Sequence, residues 1–465
     1  MTQLFSHSSI RRIAFLAGLI ALVAPSRLPA QQKPGLPDAP LPIRVLTAQT
    51  APPLAGPPQV PVPVLNPSEP AITLERALEL AKRNNPALQA NQMLILQNKA
   101  QEITANLRPN PVLSLDTQYL PLFSPSLFTD SNYWQTQAQY DAGVGYLFER
   151  GNKRQHRLDA AKTATAVTEA QVSDAQRTVL ASTAQLFIAA LLAKSNLEFA
   201  QNLFDSYKKT VDISEERHKA GSMSRNDLLK IQLQSLQFES DVSNAQLARA
   251  QALASLRQFL GFDSVPADYE VVGSLAYESV TARLEDLQSR ALASRPDMQA
   301  AQRSVAASES QVGLAKANGK VDFNVNFDYT RLNQSNLGAF YFNIPLPVFN
   351  KNQGEIARTQ YAVTQSQFQQ KAAEQQVLTD VRNAYEGLRR SEQMVQLFNR
   401  GYLDKATQSL EITKFSYEHG AASLLDFLDA ERSYRSTELS FRQALATYMT
   451  ALEQLRQAVG TRELQ

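Results

Sequence analysis

The sequence predicts a mainly α protein with a smaller β part, folded as two copies of one module: long antiparallel coiled-coil helices joined to four strands. Three observations lead there. Positions in the second half answer to positions in the first at a fixed offset. Two helical stretches run on for longer than any globular core. Two strand-length stretches of alternating polarity stand at equivalent places, each followed by a returning strand.

The repeat is clearest at its turns. Gly221 and Asp227 in RHKAGSMSRNDLLKIQ answer to Gly420 and Asp426 in SYEHGAASLLDFLDAE, and Gly261 in RQFLGF answers to Gly460 in RQAVGT, each pair 199 positions apart. Pro86 in KRNNPALQANQ matches Pro296 in ASRPDMQAAQ, and the Gly151 region YLFERGNKRQ matches LPVFNKNQGE around Asn352. A period near 200 residues is too long for a solenoid unit and reads as a duplicated hairpin-and-helix module. The organisation expected is a signal peptide over 1–30, a Pro-rich leader over 31–71, a first repeat over 72–260, a linker over 261–282 and a second repeat over 283–465.

Export is read from the N-terminus. Arg11 and Arg12 precede the apolar run Ile13 to Ala24, and Leu28-Pro29-Ala30 ends in a small residue, the pattern of a cleaved signal. A membrane anchor needs about 20 apolar residues, more than this run supplies. No other stretch reads as a helical span, so a membrane-embedded mature protein would sit there as strands. Between Pro34 and Pro70 lie 12 of the 23 prolines, which fix φ and remove donors, predicting an extended leader without a core.

Regular structure should begin at Thr73, an N-cap, with a helix to about Leu107 that Pro86 kinks or breaks. Arg108-Pro109-Asn110-Pro111 ends it. Leu113, Leu115, Thr117 and Tyr119 then alternate with polar residues, and a returning strand is expected over about 135–148. In the second copy Val321, Phe323, Val325, Phe327 and Tyr329 alternate with Asp322, Asn324, Asn326 and Asp328, with the return expected over about 339–349. Strands of roughly ten residues with one apolar face suit a transmembrane β-barrel; an ordinary hairpin over a soluble core would show the same alternation.

The stretches 153–218 and 355–418 each run some 65 residues without proline, predicting helices on the order of 100 Å at 1.5 Å per residue. Shorter helices of about 35 residues are expected over 73–107, 226–260, 283–317 and 424–459. On the 226–260 helix two different seams step by four and three, one through Phe238, Val242, Ala245, Arg249, Ala252, Leu256 and Phe259, the other through Leu229, Leu233, Leu236, Ser240, Ser243, Leu247, Ala250 and Ala254. Two seams mean two neighbours, as in a ring. Phe441, Ala444, Tyr448, Ala451 and Leu455 keep the first seam in the second copy.

Charge and chemistry exclude more than they assign. A formal charge of +2 carries no nucleic-acid signature. The chain has no cysteine, which rules out disulfides, thiolate metal sites and lipidation through an N-terminal cysteine. His7, His156, His218 and His419 lack metal-ligand spacing, and no nucleotide-binding glycine motif is present. No catalytic residue, resident metal or cofactor is expected, so the protein reads as a non-enzyme whose transport energy comes from a partner.

Four membrane strands cannot close a barrel, and open edges are not tolerated in lipid, so the strands must be shared between chains. At this point ITLERALELAKRNNPAL, LRPNPVLSLD, the GxxxxxDLL turn at Gly221 and the YxxGxxxxxDxLDAE turn at Tyr417 resemble the TolC family of outer-membrane efflux channels, from Ile72 to Gly460. IPLPVFNKNQGEIART is most similar to its CzcC-like heavy-metal branch. The resemblance implies a homotrimer in the bacterial outer membrane, with a shared 12-stranded β-barrel in lipid continued by a 12-helix α-barrel through the periplasm. It also implies an equatorial belt at the linker Gly261 to Ala282, and a periplasmic adaptor and an inner-membrane pump, of RND type, as partners. It implies further that Asp426 and Asp429, one helical turn apart, ring the periplasmic entrance and select cations, and that Tyr417, with Asp227 and Asn226 on the partner turn, helps hold the entrance shut. Ala422 stands where well-known members place a latch arginine. Acidic first-turn residues also complement a helix N-terminus, the plainer role for the two aspartates. Crowding in a ring should raise their pKa. Other readings are a duct for secreted polypeptides and, from a different class, a periplasmic coiled-coil adaptor or scaffold.

Overall fold

The computed structural model describes residues 71–464. The expected signal peptide and almost all of the Pro-rich leader lie outside the described residues. In chain order the elements are β1 (Ala71–Ile72), α1 (Leu74–Asn84), α2 (Pro86–Asn106), β2 (Val112–Gln118), α3 (Ser131–Thr136), β3 (Gln139–Phe148), α4 (Lys153–Lys219), α5 (Arg225–Leu260), β4 (Glu270–Val271), α6 (Leu284–Ser294), α7 (Pro296–Asn318), β5 (Phe323–Leu332), β6 (Ser335–Asn343), α8 (Gln353–Leu397), α9 (Leu403–Glu418) and α10 (Leu424–Val459). The order helix pair, strand pair, long helix, returning helix occurs twice.

Proline breaks both helix pairs outright. Thr73 caps α1 by accepting from the Arg76 amide, and Asn85 then separates α1 from α2, its side-chain oxygen accepting from Leu88 N. The stretch expected as one helix over 283–317 is likewise two, because Pro296 lacks the N–H that would continue the ladder. Both corners are pinned by the returning helix of their own repeat. Asn85 Nδ2 donates to the Phe259 carbonyl at the end of α5, and Arg295 donates to the Ala458 carbonyl at the end of α10. The paired glycines lie against the same corners. Gly261 (φ 89°) and Gly460 (φ 83°) end α5 and α10, and a Cβ on Gly261 would stand 2.9 Å from the Asn84 carbonyl oxygen.

The strands form one antiparallel sheet in the order β2-β3-β5-β6. Direct pairing places Asp116, Asp141 and Thr330 in one row and Gly143 opposite Asp328 in the next, all on the polar face. Gly143 makes room there: a Cβ would stand 1.9 Å from Asp328 Oδ1 and would force that carboxylate to move. Leu113, Leu115, Val144, Phe327, Phe340 and Phe342 lie on the opposite face, exposed. The last strand was expected over about 339–349 but runs Ser335–Asn343. The cause is a two-residue turn, Asn333 and Gln334 both at positive φ (48° and 61°), a hairpin turn whose twist suits the strands. Pro345 and Pro347 then deny the ladder its donors.

α4 spans 67 residues, about 100 Å. By length and composition it contains a segment apolar enough to cross a membrane, which the sequence reading did not recognise. That segment is instead the waist of the molecule, where Phe187, Ile188, Ala190 and Leu191 are buried and three of them pack with α1, the end of α5 and β4. The linker wraps this level. β4 pairs in parallel with β1, Lys194 donates to the Val271 carbonyl, and the Tyr277 hydroxyl donates to Glu392 on α8.

The second long helix, expected unbroken over 355–418, is broken. α8 stops at Leu397 and α9 starts at Leu403, with Arg400 (φ −77°, ψ 15°) and Gly401 (φ 102°, ψ 12°) outside helical geometry between them. Gly401 is the residue that admits the break, since a positive φ costs it little.

Candidate functional site

The candidate site is the end of the molecule where both helical arms turn. α4 and α9 end at Gly221 (φ 76°) and Gly420 (φ 79°), left-handed residues that let the chain reverse. Ser222 N donates to the Arg217 carbonyl (2.8 Å) and Ala421 N to the Ser416 carbonyl (2.7 Å), so the two turns close alike. A serine then starts each returning helix. The Ser224 hydroxyl accepts from Asp227 N (3.1 Å) and the Ser423 hydroxyl from Asp426 N (3.2 Å).

Asp426 completes a capping box, its carboxylate accepting from Ser423 N (3.1 Å) and from the Ser423 hydroxyl (2.7 Å). Those bonds hold its pKa below the usual carboxylate range. Within one chain Asp426 therefore has the plainer helix-start role, and the rise expected from crowding in a ring is not a property of the single chain. Asp426 and Asp429 both reach solvent from the first turns of α10.

The two arms meet in a small apolar cluster of Tyr207, Ile231, Phe238, Tyr417 and Phe427. Tyr417 stacks on Phe427 (5.3 Å, 6° between planes) with the Arg217 guanidinium 5.5 Å over its ring, and Tyr207 packs on Phe238. Ala422 packs against the cluster from the second turn, where an arginine would have to leave for solvent. An Arg435–Asp241 ion pair ties α10 to α5.

The structure does not bring the Tyr417 hydroxyl onto Asp227. The carboxylate of Asp227 is taken by the Ser224 hydroxyl (2.8 Å) and Lys230 (3.5 Å), and the buried hydroxyls of Tyr417 and Tyr207 have no hydrogen-bond partner among the described residues. Burial pushes both phenols up. Asn226 is exposed. His419 Nδ1 lies 2.8 Å from the Phe415 carbonyl, with the imidazole tilted against the Phe415 ring (4.0 Å, 32° between planes). Among the described residues no group of three His, Cys, Asp or Glu is placed to hold a metal ion.

Sequence reasoning missed Glu431, 8% exposed on the apolar stripe of α10. Burial pushes its carboxyl up to about 7, against partial relief from Arg435 and Lys414. The signal was available: Glu431 stands four residues after Phe427, in phase with the buried face.

With this geometry in view, comparison with known proteins is decisive for the family. The family described as outer membrane efflux protein matches residues 77–262 and 287–461. The chain belongs to that family. It is similar to the cobalt-zinc-cadmium resistance protein CzcC of Cupriavidus metallidurans, at 24% identity over 84% of this chain and 88% of that protein. It is also similar to the cation efflux system protein CusC of Escherichia coli O157:H7, at 25% over 66% and 71% respectively. Among solved structures the fold matches CusC (TM-score 0.69, 19% identity, 83% of this chain and 92% of that one). It also matches the outer membrane protein VceC of Vibrio cholerae (TM-score 0.64, 19% identity, 84% and 97%). The mainly helical fold of this outer membrane efflux protein is thus that of the TolC-type channels.

Proposed function

We propose that this outer membrane efflux protein is the passive exit duct of a tripartite pump. In this reading it is a homotrimer whose chains share one 12-stranded β-barrel in outer-membrane lipid and one α-barrel through the periplasm. A periplasmic adaptor and an inner-membrane transporter of RND type supply the energy and the cargo. Metal ions or small toxic compounds are the cargo class, supported by the likeness to a cobalt-zinc-cadmium resistance protein and a cation efflux protein.

The observation that carries the reading is that one chain leaves matching apolar edges at every level. β2 and β6 are the unpaired edges of the sheet. On α2 Met93, Leu94 and Ile103 are exposed, and on α8 Tyr361 and Phe368. Nearer the tips α5 exposes Leu229, Leu233, Leu236 and Leu247, the second seam of the sequence, while α9 exposes Ile412 and Phe415. An apolar surface this long needs a neighbour on each side, which a closed ring of identical chains provides. A periplasmic scaffold would have no use for a sheet whose apolar face is exposed. The doubled element order fits an ancestral duplication, with repeats over 72–260 and 283–465 joined by the linker at the equator.

Cross-linking in native membranes should give one closed species, a trimer; a monomer that conducts in planar bilayers would overturn the reading. At the tips, threefold symmetry would bring six carboxylates from Asp426 and Asp429 into one constriction and favour cations. Replacing both by Ala should lower cation preference and block by multivalent cations from the periplasmic side. Unchanged selectivity and block would leave the aspartates with their helix-start role alone.

A further inference from the structure

We propose that Glu431 is a proton-operated latch between the two helical arms: protonated, it lets the arms pack and the tips stay together; ionised, it loosens them. The inference rests on the tips being the periplasmic entrance.

Glu431 lies on α10 beside the cluster that joins the arms, and its carboxylate makes no hydrogen bond or ion pair among the described residues. The charged and titratable groups facing it come from every packed element. α4 presents Tyr207, and Arg217 lies farther out over Tyr417. α9 presents Lys414 and Tyr417. From α5 come Lys230 and Asp241, and α10 itself adds Asp429, Arg432 and Arg435. None forms an ion pair with Glu431, although Arg435 and Lys414 relieve its charge in part. Arg435 is committed to Asp241 and to the face of Phe238 (5.5 Å), and Arg217 to the ring of Tyr417.

A cavity of about 520 Å³ between α5 and α10 reaches Glu431 past Lys230, Phe238, Leu428 and Arg432, giving water and protons a route from the surface. An ionised carboxylate at this depth without a partner is costly even beside the cavity, and the ways to relieve it are to take a proton or to admit more water by parting the arms. Two buried hydroxyls without partners, on Tyr207 and Tyr417, make the same seam easier to wet.

The sign follows from the direction of the shift. In the packed arms the carboxyl sits near 7, and in parted, solvated arms it returns towards its ordinary 4.5. Packing is therefore fully favoured below the ordinary value and loses support as pH rises through about 7, over a range that corresponds to roughly three hundredfold in the packing equilibrium. Asp426, held low by Ser423, titrates in a separate window.

The experiment uses the full-length protein assembled in lipid. Hydrogen–deuterium exchange across 203–211 and 427–435, corrected for the intrinsic rate, is followed from pH 5.5 to 8 together with conductance against periplasmic-side pH. Wild type should lose at least tenfold of its protection across that range and open more often, whereas Glu431→Gln and Glu431→Leu should stay protected and insensitive to pH. An equal pH-dependent loss in both variants overturns the latch. Loosening in wild type alone, without any conductance response, supports the latch and removes the entrance reading. Should neither variant assemble, the pH-difference infrared spectrum of wild type decides: a protonated carboxyl band lost near pH 7 supports the proposal, and its absence overturns it.

Discussion

The two halves of the chain carry equivalent corners and unequal arms. At the corners, Asn85 before Pro86 and Arg295 before Pro296 occupy the same place, 5% and 3% exposed, and each reaches the last turn of its returning helix. Asn85 does this with a neutral amide. Arg295 brings a charge, which Asp297 and Asp380 match at 2.6 and 3.0 Å. The arms differ in continuity: α4 runs 67 residues unbroken, while its counterpart is interrupted at Gly401 before reaching the tip. The arm with the interruption also carries Glu431 in its apolar seam. One repeat is built as a strut and the other as a strut with a joint.

Removing the charged corner tests the comparison hardest. Arg295→Ala leaves Asp380 without its cation and Asp297 with only Arg177 at 3.9 Å; because both carboxylates are partly solvated, the loss should cost about 3 kcal/mol, the low end for breaking a buried pair. Burial raises the Asp297 pKa while Arg295 more than offsets it, so in wild type this carboxyl sits below the ordinary range. The variant should unfold at markedly lower denaturant and lose the part of its acid lability that comes from Asp297. Asn85→Ala removes a neutral cap and a bond to the Phe259 carbonyl, and should cost about 1–3 kcal/mol with no change in pH dependence. Equal costs at the two corners would mean that the charge in the second repeat adds nothing.

The legible part of the fold is the part written locally. Pairs such as Gly221/Gly420 and Gly261/Gly460 mark equivalent turns because left-handed positions accept few residues, and α4 is readable because nothing in it opposes a helix. The break at 398–402 was not readable, since one glycine inside a helical stretch costs only about 1 kcal/mol and helices usually absorb it. The start of β6 was missed because Asn333-Gln334 is an uncommon tight-turn pair. Arg295 gave no sign of burial, as one of its partners, Asp380, is 85 residues away. At the tips the sequence picked out the turn residues and Tyr417 but passed over Glu431, whose meaning depends on Tyr207 and Phe238 from the other repeat.

Gly401→Ala should sharpen the contrast between strut and joint. No atom stands within 4 Å of the added Cβ, so the cost is backbone strain at φ 102°, about 1–2 kcal/mol in favour of a continuous helix. Amide exchange across 398–402 should slow towards that of the matching segment of α4. Faster exchange there would mean that the break is imposed by packing around Phe398 and Phe441 and that glycine merely tolerates it.

The smallest effect on stability, and the most discriminating on function, belongs to Tyr417→Phe. The hydroxyl is buried beside Ser214 without a hydrogen bond of good geometry among the described residues, so its removal discards a poorly met polar group while keeping the stack on Phe427 and the Arg217 contact. Replacing such a group by hydrogen is nearly neutral or slightly stabilising, within about 0.5 kcal/mol. If the tips repack in the closed assembly so that the hydroxyl meets the turn of a neighbouring chain, the variant should raise the open fraction in planar bilayers while leaving unchanged the ion selectivity proposed for Asp426 and Asp429. Melting of the assembled protein therefore reads the hydroxyl's burial within the chain, and single-channel recording reads any contact between chains. An unchanged open fraction with unchanged stability would place the closing contact elsewhere on the tips and return Tyr417 to a purely packing role.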